Sequence, residues 1–192
     1  MFQTILTILC AFIVPIPVWL MLFHFVSLKT KSLSARIITY LSLSLLWAIV
    51  GYLCFTNQEL LYKYRFMPNL IFEVIGILLI LVALVIDYFI IKQLGLRRLM
   101  CLAELQEKKT EGTLVTHGIY KYARHPRYGE LILFFFGVAL LSGYYSYLLL
   151  SLYLFAGFYL SSFFEEKELV LRFGEAYKDY QKKVPRFFVK CP

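Results

Sequence analysis

The chain has 192 residues, of which 60% are hydrophobic, 18% aromatic and only 17% charged, and its formal net charge is +8. So apolar a composition excludes an ordinary soluble domain and points to a multi-pass membrane protein. The basic residues fall between and after the apolar runs instead of along a solvated face, so the positive charge reports topology and gives no sign of nucleic-acid binding.

In chain order, the first apolar run, Thr4 to Val26, is long enough for a bilayer core, which needs about 20 residues, and Pro15 and Pro17 are expected to kink it. It lacks a basic start and a small-residue cleavage site, so it reads as a retained helix and not a signal peptide. Lys29, Lys31 and Arg36 follow in a Ser-rich loop. A second run, Ile37 to Phe55, is followed by a loop with Lys63, Arg65 and Pro68, and a third run covers Asn69 to Ile91. Glu73 and Asp87 lie near opposite ends of that third run, where carboxylates are expected to reach headgroups.

The segment from Lys92 to Arg127 carries Lys92, Arg97, Arg98, Lys108, Lys109, Lys121, Arg124 and Arg127, the largest positive cluster between spans, which places it in the cytoplasm. Gly129 to Phe164 then holds one charge, Glu130, in 36 residues. As one straight helix this run would be about 54 Å long against a hydrocarbon core of about 30 Å. It must fold back, and Ser142 and Gly143 form the natural turn. Beyond it, Leu169, Phe173, Tyr177, Tyr180 and Val184 form an apolar stripe that predicts one amphipathic helix over 165–184, with Glu168–Arg172 and Asp179–Lys183 as pairs four apart and Pro185 as its stop.

The expected fold is therefore all-α: an integral membrane protein with five hydrophobic helices, the last two a tight hairpin, and a cytoplasmic amphipathic C-terminal helix. It is expected to be a single domain over 1–192, with three N-terminal membrane helices in 1–91 and a functional region in 92–192. Cys10, Cys54, Cys101 and Cys191 form no Cys-x-x-Cys pair, and with only His24, His117 and His125 the usual zinc spacings cannot be assembled. Neither a metal nor a disulfide is expected.

Two polar stretches carry the chemistry. The first runs from Thr113 to Tyr128 and packs Gly118, Tyr120, Arg124, His125, Pro126, Arg127 and Tyr128 into a short span; the second is the carboxylate pair Glu165 and Glu166. On composition alone the first is equally an interfacial anchor of Tyr and Arg at headgroup level, with Pro126 opening the next helix. Glu165 falls on the apolar stripe and needs a partner, because an unpaired buried carboxylate is unfavourable. Arg124, His125, Arg127 or the polar groups of a ligand could each provide one.

The run L-V-T-H-G-I-Y-K-Y-A-R-H-P-R-Y from Leu114, then the apolar hairpin, Glu165 and Glu166, and F-G-E-A-Y-K-D-Y-Q-K-K-V-P from Phe173 to Pro185, resembles the isoprenylcysteine carboxyl methyltransferase family. Its wider group includes phospholipid methyltransferases. The resemblance implies S-adenosylmethionine as cofactor, held at the cytoplasmic face. It further implies that Thr113, Leu114 and Val115 line the adenosyl pocket and Tyr120 packs on the cofactor, while His125, Pro126, Arg127 and Tyr128 wrap it. Glu165 would bind its hydroxyl or amino groups, and Gln106 matches a cofactor-binding glutamine across a one-residue gap. No catalytic acid or base is implied. The acceptor would be a prenylcysteine-like or other lipid-linked group entering from the bilayer, most simply a carboxylate.

Three positions depart from the family pattern. Ser161 stands where prenylcysteine members carry an arginine, Ile119 where a proline is usual, and Glu130 where a small residue is common. The competing expectations are a phospholipid or other lipid N-methyltransferase, an NADPH-dependent enzyme resembling sterol reductases, and a non-catalytic membrane subunit that retains the shape.

Overall fold

A computed structural model describes residues 2–29, 32–95 and 114–187. The first apolar run is broken where the prolines predicted: α1 (Phe2–Ile13) ends before Pro15, and α2 (Ile16–Lys29) restarts on the other side. The helix α3 (Leu33–Thr56) begins four residues before the expected Ile37, because Ser32 caps it by accepting a bond from Ala35 N. A short α4 (Gln58–Tyr62) leads to α5 (Leu70–Leu94), whose first turn is capped by Asn69 Oδ1 accepting from Phe72 N at 2.9 Å. After a 3₁₀ turn at Gly118–Lys121 come α6 (Pro126–Ser142), α7 (Tyr145–Phe173) and α8 (Glu175–Lys183).

Among the described residues four stretches are long and apolar enough to cross a bilayer: Phe2–Val26, Ile37–Thr56, Leu70–Leu94 and Tyr145–Phe173. The fifth expected hydrophobic helix is α6, which at 17 residues is shorter than the roughly 20 that a straight span needs. The hairpin turns where expected, with Gly143 in the left-handed region at φ 67°, a conformation that a Cβ disfavours. Its two arms are unequal, and the 29 residues of α7 carry Glu165 and Glu166 past the point where α6 begins.

The expected single helix over 165–184 is corrected by the structure. Gly174, at φ 59°, ends α7 after Phe173 and starts α8 in a new direction. The apolar stripe survives the bend, since Tyr177, Tyr180 and Val184 fold back onto Leu169, Val170 and Phe173. Asp179, expected to pair with Lys183, pairs with Lys182 at 2.9 Å, and Glu168 bonds His24 on α2 at 2.8 Å.

The most extensive helix pairing is α5 against α6, followed by α2 against α7 and α6 against α7. Small residues allow these close approaches, as they do in lipid-embedded bundles. A Cβ on Gly137 would lie 2.7 Å from the carbonyl oxygen of Gly76, and one on Gly157 would lie 2.6 Å from Pro17 Cβ. At the end of the bundle away from Glu165, the segment after α4 clamps the hairpin turn. Phe66 N donates to Gly143 O at 2.8 Å, Tyr145 N to Tyr64 O at 3.3 Å, and Arg65 lies over the Tyr144 ring.

Candidate functional site

The hairpin brings the start of α6 beside the last turns of α7, and the tail beyond α8 folds back across both. Two backbone bonds sew the tail to the loop ahead of α6: Arg124 N donates to Pro185 O and His125 N to Arg186 O, each at 2.9 Å. Pro126 is fully buried at the first position of α6, where its missing N–H leaves no bond unmade.

Glu166 is the centre of this junction. Its side chain is only 6% exposed and takes bonds from four groups. Arg124 Nε reaches Oε1 at 2.9 Å and His125 Nε2 lies 3.1 Å from the same oxygen. Gln181 Nε2 donates to Oε2 at 3.0 Å, and Arg186 spans both oxygens at 3.2 and 2.8 Å. Arg124 Nη1 additionally donates to the carbonyls of Gln181 and Val184. A buried carboxylate so surrounded is fully compensated and ties together α7, the loop, α8 and the tail.

Glu165 points elsewhere. Its Oε2 accepts from Tyr128 OH at 2.7 Å and lies 3.3 Å from His125 Nδ1, while its Oε1 meets no donor among the described residues. His125 thus sits between the two carboxylates, one at each ring nitrogen. Burial pulls the His125 pKa down, but the adjoining charges and bonds of Glu165 and Glu166 outweigh it, and the net shift is upward. The imidazole stacks on Tyr128 with 2° between the rings, and Tyr128 stacks in turn on Phe158 with 7° between them.

The remaining expected residues divide. Leu114 packs on the Tyr177, Tyr180 and Val184 cluster, Val115 is half-buried, and the Tyr120 carbonyl accepts from Tyr180 OH. Ahead of Tyr120, Gln93 at the end of α5 holds the Gly118 turn by donating to His117 O and accepting from Ile119 N. Gln106 and Thr113 lie outside the described residues. Arg127 turns away from Glu165 and pairs with Asp87 on α5 and Glu130 on α6. Asp87, expected at a headgroup, is therefore an ion-pair partner between helices. Ser161 is wholly buried and donates to Pro17 O and Gly157 O, both at 2.8 Å.

Sequence reasoning did not single out Arg186, Gln181 or Gln93. The only available signal was the basic residue following Pro185, which the end of the apolar stripe left without a role. Among the described residues no group of three or more His, Cys, Asp or Glu side chains is arranged to hold a metal ion.

A curated protein-S-isoprenylcysteine O-methyltransferase of Schizosaccharomyces pombe is 41% identical over 80 residues, which cover 41% of this chain and 34% of that protein. The chain thus spans about a third of the length of the curated relative it matches. No solved structure matches. The family model described as phospholipid methyltransferase matches residues 71–176, more than half of the chain, and includes α5, the loop ahead of α6, the hairpin and both glutamates. The chain belongs to the phospholipid methyltransferase family.

Proposed function

We propose that this chain is an integral-membrane methyltransferase that takes its methyl group from S-adenosylmethionine and delivers it to a lipid-linked acceptor, at a carboxylate oxygen. The observation that carries the reading is the Oε1 of Glu165, which meets no donor among the described residues, beside the stacked rings of His125 and Tyr128. A carboxylate oxygen of this kind suits the hydroxyl or amino groups of a nucleoside, and aromatic faces suit a cationic sulfonium. S-adenosylmethionine supplies, when bound, an electrophilic methyl group.

Leu114, Val115 and Tyr120, with Gln106 and Thr113, would hold the adenosyl part; His125, Pro126, Tyr128 and Glu165 would hold the rest. Arg127 would act through the helix pair it locks. The chain's own contribution is alignment, because an in-line displacement gains more from orientation than from acid or base assistance. A carboxylate acceptor is already ionised at neutral pH, so none of these residues has to remove its proton. The site would face the cytoplasm, with residues 1–192 acting as one membrane domain and the acceptor reaching it through the bilayer.

Calorimetric titration of the purified protein with S-adenosylhomocysteine tests this. Saturable binding that falls at least about tenfold in Glu165→Ala supports the reading; no binding, or binding indifferent to that change and to His125→Ala, overturns it. Membranes given radiolabelled methyl donor then separate the acceptors. Base-labile label in lipid-linked material identifies an ester. Stable label indicates an amine or an ether, the outcome that favours the alternative of lipid N-methylation.

A further inference from the structure

Arg186 is placed differently from the other cations of the junction. Its Nε and Nη2 grip Glu166 from one side, while the guanidinium carbon lies 4.1 Å from the centre of the Phe163 ring and 5.1 Å from that of Tyr159. Those rings stand on successive turns of α7 and are 41% and 42% exposed, on a helix long and apolar enough to cross the bilayer. Phe163 is close to the last apolar position before the Glu165–Glu166 pair, so the guanidinium sits where the hydrocarbon-facing surface ends. Phe187 extends the same aromatic patch, packing on Tyr159 and reaching the His125 ring.

The two N–H groups of Nη1 meet no acceptor among the described residues. Charge points the same way. The single carboxylate of Glu166 faces both Arg124 and Arg186. Arginine suits such a place, because its guanidinium is weakly hydrated, stacks on rings and offers paired donors to an oxyanion.

We propose that Arg186 receives the anionic head of the lipid-like acceptor: its Nη1 edge binds a carboxylate or phosphate oxygen, and the attached hydrocarbon chain runs along the exposed faces of Tyr159 and Phe163. This assignment rests on the methyltransferase reading above and gives that reading a recognition element for its acceptor. A head of opposite sign, such as an alkylammonium, is disfavoured at the same edge.

The test uses the full chain in phosphatidylcholine nanodiscs and a photoreactive C16 fatty acid, compared with its methyl ester. Labelling of the peptide that contains Tyr159 and Phe163 is read by mass spectrometry. The acid is expected to label it about tenfold more than the ester, the discrimination that a charge-assisted bond supplies. Arg186→Gln is expected to bring the ratio below about twofold, and Arg186→Lys to retain part of it. Competition by palmitate or by hexadecyl phosphate supports the proposal and identifies which oxyanion is preferred.

Equal labelling by acid and ester in the unmodified protein overturns the proposal without recourse to any variant. So does a ratio that survives in Arg186→Gln, or competition by hexadecyltrimethylammonium alone. S-adenosylhomocysteine binding measured on the same nanodiscs separates the two levels of inference. Its loss with head selectivity intact removes the methyltransferase reading, whereas selectivity absent with binding intact removes only the role of Arg186.

Discussion

His125 and the two glutamates make the sharpest predictions at the scale of single residues. His125 has a folded-state pKa raised above the ordinary value of 6.5, so its contribution to stability is fully present below about 6.5 and is lost as pH rises through the folded value. A melting temperature that declines as pH rises above neutrality, and a flatter decline in His125→Asn, is the expected result of thermal unfolding in detergent. Glu166→Ala is expected to destabilise the protein by about 3–5 kcal/mol, because it strands the guanidiniums of Arg124 and Arg186. Glu165→Ala, at a side chain 27% exposed with one oxygen that meets no donor among the described residues, is expected to change the melting temperature much less while weakening cofactor binding. The pair itself was legible in the sequence as two carboxylates at the end of an apolar run. Which of them is the buried hub was not, because adjacent helical residues point about 100° apart and the choice is made by Arg186, a residue on the far side of a bend.

That bend shows why elements were easier to recognise than their ends. Apolar length and proline positions were enough for the broken first span, the hairpin turn at Ser142 and Gly143 and the existence of α5. The stripe through Tyr177 and Tyr180 was also read correctly as a buried face. Its periodicity, however, runs unbroken through Gly174, and spacing carries no information about a backbone angle of 59°. The α5–α6 contact was equally hidden, since a glycine in an apolar run does not name its partner. Gly137→Val, which pushes side-chain atoms into the Gly76 backbone, is expected to destabilise by about 1–3 kcal/mol. Unfolding in mixed micelles would detect it. The Arg127 pairs with Asp87 and Glu130 tie the same two helices, so Asp87→Asn is expected to weaken that contact with little effect on Glu166 and its partners.

For the whole molecule, the loop ahead of α6, the end of α7 and the tail collect at one end of the bundle, and the segment around Tyr64 and Phe66 lies at the other. Single cysteines at Lys121 and Lys63, both exposed, in a background with the native cysteines replaced by serine, are expected to be labelled from opposite sides of a sealed vesicle. Labelling of both from one side would refute the alternating path. The apolar spans themselves were readable from composition, because each span reports itself locally. The meeting of Arg124, Glu166 and Arg186, from positions 42 and 20 residues apart in the chain, was not readable from any local pattern.

The hydrogen bonds from Phe66 to Gly143 and from Tyr145 to Tyr64 make the hairpin behave like a pair of tongs riveted at the hinge. The opposite tips are fastened as well, by the Glu166 carboxylate and the two backbone bonds of the tail, so the hairpin forms a closed frame whose arms are pinned at both ends.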